Sequence, residues 1–323
     1  MEFNKILKEF EVQGEVTPLG AGLINDTYKV GDFVLQKINP KVFPYPELVM
    51  ENFSKVSHHL EKKLNDPRKF LKLKPTRTGL DYLLHEGSCW RLVYYIPDSV
   101  SFTKPPSDDH CFEAANKFAS FQKNLLDLNG ITPTKRQKFD LPGKINEFKS
   151  QNVTPEIKWA FNHYFEINLD LPKRVIHHDT KISNVLFDKK SGKGLCVIDL
   201  DTVAENPILW DFGDMVRSMS PWVSEEEDFS QVDINMEFYK AIVLGYLSNA
   251  DFMEPKERYS LFDGVLMITY TLALRFLSDH LDGDIYFKVK YPGHNLARAK
   301  NQMRLFEVFL KNQKELRHII AVG

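Results

Sequence analysis

Apolar positions Phe3, Ile6, Leu7 and Phe10 recur at helical spacing in the opening MEFNKILKEFEVQG, which predicts an amphipathic helix. The pattern then changes period. VTPLGAGLINDTYKV and VLQKI read as two strands around a turn at Gly31-Asp32. PELVMENFSKVSHHLEKKL (46–64) returns to helical spacing, with Leu48, Phe53, Val56 and Leu60 on its apolar side. FLKLKPT, LDYLLHEG and SCWRLVYYIP read as further strands, broken at Thr78-Gly79 and at His85–Ser88. Pro97, Pro105 and Pro106 then puncture the chain, and helical periodicity dominates beyond them, in 111–128 and near 155–170, 233–249 and 259–281. Between these lies ITPTKRQKFDLPGK (131–144), which reads as a surface loop with a positive tip. The expected fold class is α+β: a small antiparallel-sheet lobe over residues 1–97 and a mainly helical lobe over 98–323.

Composition narrows the class of partner. Hydrophobic residues make up 43% and charged residues 27% of 323, the balance of an ordinary globular chain with room for a sizeable core. A formal net charge of −2 and a pI near 6.6 argue against a nucleic-acid or anionic-membrane surface as the main partner. Cys89, Cys111 and Cys196 stand far apart, so there is neither a disulfide framework nor a zinc knuckle, which suits a reducing cytoplasm. The first helix carries acidic residues, unlike a signal peptide. The apolar run GVLMITYTLALRFL (264–277) is too short for a membrane span and reads as a buried core helix. A cytoplasmic protein, monomeric or weakly dimeric, is the expectation.

The candidate chemistry is concentrated in RVIHHDTKISNVLFDKKSGKGLCVIDLD (174–201). His177-His178-Asp179 followed by Asn184 has the His-x-Asp-x-x-x-x-Asn spacing of a kinase catalytic loop. VLF and LCVI flank the turn-rich KKSGKG and should pair as a hairpin. Antiparallel pairing returns Asp199 to the end of the ribbon at which Asn184 stands. One amide oxygen with one or two carboxylates suits Mg²⁺, a hard ion that takes oxygen ligands. Asp179 would lie beside them on the loop, placed to accept a proton from an attacking hydroxyl. Lys181, two residues on, could lean on the transferred phosphoryl group. His177 and His178 are adjacent on an extended chain and point opposite ways, which argues against a metal pair. WDFGDM (210–215) contains the Asp-Phe-Gly of a kinase metal loop, but Asp211 follows Pro207 and lies outside the hairpin. The ribbon geometry cannot deliver it to the metal.

GLINDTY (22–28), LQKIN (35–39), HHDTKISNVLFD, VIDLDT, DFGDMVR, LRFLSDHLDGDIYF (274–287) and YPGHNLARAKNQ (291–302) together resemble the aminoglycoside phosphotransferase and choline kinase superfamily, most closely its N-acetylhexosamine 1-kinase branch. The resemblance implies a bilobal protein-kinase-like fold, ATP and Mg²⁺, and transfer of the γ-phosphoryl group to the anomeric hydroxyl of a sugar. It makes Asp179 the base, puts Asn184 and Asp199 on Mg²⁺, and gives Asp211 the structural role of buttressing the catalytic loop. Arg275 and Tyr286 match positions that line the sugar pocket. On the nucleotide side it implies Gly20 and Gly22 of the LGAG loop, and a linker at Tyr94, Tyr95 and Ile96 whose backbone meets adenine. The nucleotide-lobe lysine of kinases corresponds to Gln36 or Lys37, of which strand alternation turns one to the cleft. Glu51 on the following helix is the natural ion-pair partner for Lys37. Leu23 departs from the Gly-His-Ile-Asn loop of a relative, removing a polar group that could touch the sugar. Alternatives are a kinase of choline, an aminoglycoside or another small alcohol, and, in a different class, a nucleotide-binding pseudokinase.

Overall fold

Helix α1 (Glu2–Glu9) forms where Phe3, Ile6 and Leu7 share one side, and it lays that side on a sheet. In this computed structural model the described residues are 2–19, 25–133, 139–150, 152–165 and 170–323. The sheet is antiparallel with the order β1 (Thr17–Pro18), β2 (Asp26–Val30), β3 (Phe33–Ile38), β5 (Ser88–Tyr94), β4 (Leu83–His85). Its two faces are told apart by alternation. Leu35, Trp90 and Leu92 pack with Ile6, Leu7 and Phe10 under α1. Ile38 and Val93 pack with Val49, Met50, Phe53 and Val56 of α2 (Pro46–Lys63) on the opposite face.

Two expected strands shrink. FLKLKPT forms no strand: Leu73 makes an isolated bridge to Val93, and Lys74 N–H donates to Leu92 O at 2.8 Å. The next amide on that side, Thr76 N–H, donates to Leu80 O at 2.8 Å instead, which ends the edge. LDYLLHEG reduces to the three residues of β4, because Glu86 and Gly87 turn the chain straight back at φ 48° and 73°.

The chain leaves the sheet at Tyr94, and β6 (Ser99–Val100) already pairs with a second, three-stranded sheet. Helices α3 (Asp108–Asn124), α4 (Leu141–Phe148) and α5 (Pro155–Asn162) follow. The basic tip expected at 131–144 lies largely outside the described residues, and from Leu141 that stretch is helix. β7 (Arg174–Ile176) pairs with β10 (Ala204–Asn206) and brackets the hairpin of β8 (Val185–Asp188) and β9 (Gly194–Val197). The rest is helical: α6 (Leu209–Met219), α7 (Met236–Leu247), α8 (Pro255–Leu281), α9 (His294–Lys311) and α10 (Gln313–Val322). The fold is therefore α+β, a small sheet region followed by a helical body. α8 is long and apolar enough to cross a membrane by length and composition, but most of its apolar stretch is buried in the helical core.

Helices α6 and α8 meet through glycines. A Cβ on Gly264 would lie 2.2 Å from the Leu209 carbonyl oxygen, and one on Gly213 would lie 2.4 Å from the Gly264 carbonyl oxygen. Neither neighbour is a flexible side chain. Gly264→Ala is expected to cost about 1–3 kcal/mol by overpacking, read as a melting temperature several degrees lower. An unchanged melting temperature would mean that the two backbones part freely.

Candidate active site

Residues 177–184 run from the end of β7 to the start of β8, and buried carboxylates hold their backbone from below. Asp211, wholly buried in the first turn of α6, accepts the His177 amide at 2.8 Å, the His178 amide at 2.7 Å and Gln122 Nε2 at 2.8 Å. Asp214, one turn on, accepts the Thr180 amide at 2.8 Å and is gripped by Arg217. The Thr180 hydroxyl donates to Asp211 O at 2.7 Å. These bonds keep His178 at φ 66°, a left-handed conformation that a residue with a side chain avoids unless its surroundings impose it. His177 turns inward against Phe118 and Phe121; its Nε2 lies 2.9 Å from Ile198 O, and its Nδ1 accepts the Asp179 amide at 3.2 Å. The ring is a strut, not a ligand.

The loop displays Asp179, Lys181 and Asn184 together. Lys181 Nζ stands 3.1 Å from Asp179 Oδ1, and Asn184 Nδ2 donates to Asp179 Oδ2 at 2.9 Å and to Asp179 O at 2.8 Å. Burial works against charge on Asp179, but Lys181, His177 and the hydrogen bonds from Lys181 and Asn184 outweigh it and hold the carboxyl below its ordinary range. The same carboxylate raises Lys181 above the usual lysine value.

The hairpin brings Asp199 back to this end. Val185 pairs with Val197, and Ile198 N–H donates to Asn184 O at 2.9 Å, so Asp199 follows directly on the residue bonded to Asn184. It too is left-handed, at φ 61°. Burial first, then the charges of Asp201 and Asp179, push its carboxyl up to about 6. That is the signature of carboxylates gathered beyond what Lys181 and Arg91 offset, and a cation would relieve it. Among the described residues no group of three or more His, Cys, Asp or Glu could hold a metal alone. Asn184 Oδ1 and Asp199 therefore suit an ion that brings other oxygen ligands with it, as Mg²⁺ does with nucleotide phosphates.

Other expected residues lie elsewhere. Lys37 shares the α1 face with Trp90, its Nζ 5.3 Å from the ring, so the residue of that pair facing α2 is Gln36. The reason is the pleat: Leu35 and Lys37 point one way, Gln36 and Ile38 the other. Glu51 does not meet a strand lysine either. It pairs with Lys55 of its own helix at 2.6 Å and accepts the Thr132 hydroxyl at 3.1 Å, while Met50 and Phe53 point inward. Gly20, Gly22 and Leu23 lie outside the described residues. In the linker, Tyr95 N–H donates to Asp32 O at 2.8 Å, and Ile96 O accepts the Ser99 hydroxyl at 2.7 Å. On α8, the Arg275 guanidinium carbon lies 5.5 Å from the Tyr286 ring centre and 5.3 Å from that of Phe287. Asp279, one turn further, accepts the Tyr286 and Phe287 amides at 2.7 and 2.9 Å and fixes that turn.

Sequence reasoning missed Arg91 and Asn25, which meet Gln36 and Asp201 between the sheet and the turn after Asp199. One signal was available. Arg91 interrupts the otherwise apolar strand CWRLV, and a charge on a buried strand requires a partner.

The chain is similar to several known kinases. A homoserine kinase of Zymomonas mobilis is 29% identical over 161 residues, which are 50% of this chain and 45% of that protein; the chain thus spans about half the length of this curated relative. A microcompartment-associated aminopropanol kinase superposes with a TM-score of 0.65 at 13% identity, over 96% of this chain and 97% of its own. An amicoumacin kinase solved in complex with AMP-PNP, Ca²⁺ and Ami gives 0.64 at 13% identity, over 94% and 92%. At these identities the structural likeness speaks for the fold. The model of the phosphotransferase enzyme family (APH) matches residues 15–255, and this chain belongs to that family.

Proposed function

We propose that this chain is an ATP- and Mg²⁺-dependent kinase of a small alcohol, and that its acceptor is the anomeric hydroxyl of an N-acetylhexosamine such as GlcNAc or GalNAc. The observation that carries the first part is the Asp179 carboxylate, shared between Lys181 and the Asn184 amide, with Asp199 returned beside it by the hairpin. Asp179 receives the acceptor hydroxyl, orients its oxygen towards the γ-phosphorus and takes the proton as the new P–O bond forms and the bond from the γ-phosphorus to the bridging oxygen of ATP breaks, ADP leaving. A carboxylate held below its ordinary range is a weak base, so positioning supplies more of the rate than proton abstraction does. Lys181, kept charged by Asp179, leans on the transferred group. Mg²⁺ held by Asn184 and Asp199 would shield the phosphate charge. The nucleotide lies between the lobes 1–97 and 98–323, with adenine along Tyr95 and Ile96; Gly20 and Gly22, expected to meet the phosphates, are outside the described residues.

The sugar reading rests on Arg275 and Tyr286 and on their place in the resemblance. A guanidinium spread over two rings favours a neutral, oxygen-rich acceptor and opposes a quaternary ammonium. The acidic run at 225–227 does not offset it, since Glu225 is paired with Arg217, Glu226 with Lys290 and Arg298, and Glu227 with Lys104. The similarity to a homoserine kinase favours a second reading, an amino-alcohol acceptor. ATP consumption over free hexosamines, other sugars, homoserine, choline and aminoglycosides separates the two. Turnover confined to homoserine or choline removes the sugar, and ATP binding without turnover on any acceptor supports a pseudokinase.

Arg275→Ala and Tyr286→Phe are expected to raise the KM for the acceptor about tenfold or more while that for ATP stays within about twofold, because acceptor-side contacts act on acceptor binding alone. Equal changes in both constants would assign these residues to packing.

A further inference from the structure

Arg91 is fully buried in the middle of β5. Its guanidinium carbon lies 4.3 Å from the Phe53 ring centre of α2, and its Nε donates to Gln36 Oε1 at 2.8 Å. Nη1 donates to Asp201 Oδ1, while Asn25 Nδ2 donates to Asp201 Oδ2 at 2.7 Å. Both oxygens of Asp201 are thus held by groups from the first lobe. Asn25 is itself anchored, its Oδ1 accepting the Asn39 amide at 3.0 Å. Asp201 sits in a short 3₁₀ turn, Leu200–Thr202, entered directly from Asp199. The same turn reaches the catalytic loop, where the Thr202 hydroxyl donates to His177 O at 2.6 Å.

In a protein kinase, a strand-β3 lysine reaches the phosphates and pairs with a glutamate of the following helix. Here the cleft-side residue of β3 is the uncharged Gln36, and the helix offers Met50 and Phe53 instead of a carboxylate. The cation comes from the neighbouring strand, and its partner stands two residues after Asp199.

We propose that Arg91 is a positioning residue. Through Asp201 it ties the nucleotide sheet to the turn carrying Asp199, and it offsets part of the Asp201 charge that stands beside that carboxylate. The inference rests on the reading of Asp199 as a metal carboxylate. A second metal-ligand role for Asp201 fits poorly, because both its oxygens already accept N–H donors.

The test compares Arg91→Met, Asp201→Asn and the double variant by three readouts: the Mg²⁺ concentration giving half-maximal turnover, the melting temperature, and its rise on adding Mg²⁺ with AMP-PNP. Each single variant should lose about ten- to a hundredfold in turnover, the usual result of misplacing a site by a fraction of an ångström to an ångström, with the acceptor KM unmoved. The Mg²⁺ demand should shift in opposite directions. Arg91→Met leaves an extra anion beside Asp199 and lowers it, whereas Asp201→Asn leaves a cation and raises it. The double variant should return the Mg²⁺ demand to within about twofold of the native value while turnover stays low, since the charges balance and the tie is gone. If Arg91→Met does not fold, Arg91→Lys keeps the charge but cannot serve Gln36 and Asp201 together; native Mg²⁺ demand with lowered turnover supports the proposal. Lower melting temperatures with unchanged turnover and Mg²⁺ demand would make the pair ordinary core. Loss of the AMP-PNP-induced rise in Asp201→Asn alone would make Asp201 a ligand. Either result overturns the proposal. A native protein showing neither turnover nor that rise overturns the kinase reading as well.

Discussion

Asp179→Asn is expected to fold and to bind Mg²⁺ and ATP while its turnover falls by about 10²–10⁴. The substitution is nearly isosteric, so Asn184 keeps an oxygen to donate to and the loop, held from below by Asp211 and Asp214, keeps its shape. The variant loses the anion that accepts the hydroxyl proton and the charge that fixes Lys181 at 3.1 Å. Burial alone would favour a neutral carboxyl, and Lys181 is the largest influence keeping it charged. With its pKa below the ordinary range, Asp179 should remain ionised throughout pH 5–8, and its titration should put no acid limb on the rate in that interval. The checks are turnover at saturating acceptor and the melting-temperature rise with Mg²⁺ and AMP-PNP. Near-native turnover in a variant that binds nucleotide would end the assignment of Asp179 as the base.

Asp199→Asn and Asp211→Asn should fail in opposite ways. Asp199→Asn should lose Mg²⁺-dependent turnover by about 10² or more, because the metal loses its charged protein ligand. Its stability without metal should be unchanged or higher. The sign follows from the carboxyl being raised from 3.8 to about 6: the folded state binds the proton more tightly than the unfolded state, so the cost of ionising Asp199 grows as pH rises from the ordinary value and is complete above about 6. The gain of the variant should therefore be full at pH 7.5, smaller at pH 5, and vanish below the ordinary carboxyl value of 3.8. Asp211→Asn removes a carboxylate with three N–H donors on it. Bonds to a charged group contribute about 1.5–3 kcal/mol each, and Asn turns an NH₂ towards donors. The melting temperature should fall by several degrees while residual turnover keeps its native Mg²⁺ demand. If Asp211→Asn shifts the Mg²⁺ demand and Asp199→Asn does not, the Asp-Phe-Gly of 211–213 is the metal loop and the hairpin argument has the wrong aspartate.

The elements legible in the chain were those defined by local repetition. α2, α3 and α8 each carry an apolar stripe at a period near 3.6 over several turns, and KKSGKG between two apolar runs admits little but a hairpin. FLKLKPT also alternates, yet alternation states only that a segment could pair. Whether it does depends on a neighbouring edge with free donors and acceptors, and here the match is one bridge long, with the Thr76 amide turned to Leu80 O.

The site divides along the same line. Asp179, Lys181 and Asn184 occupy six consecutive residues, and Asp199 reaches them through one hairpin, so spacing and strand pairing were enough to bring them together. Lys37 and Glu51 were placed by analogy with a pair whose members come from different elements, and there sequence is silent on orientation. The pleat of β3 turned Lys37 to Trp90, and the phase of α2 turned Glu51 to Lys55. Arg91 and Asp201 are 110 positions apart and share no motif. A buried charge must be paired, and that much can be read from one strand. Which carboxylate pairs with it is decided when the sheet, α2 and the turn after Asp199 pack against one another, since only that packing excludes water and brings the two charges into contact.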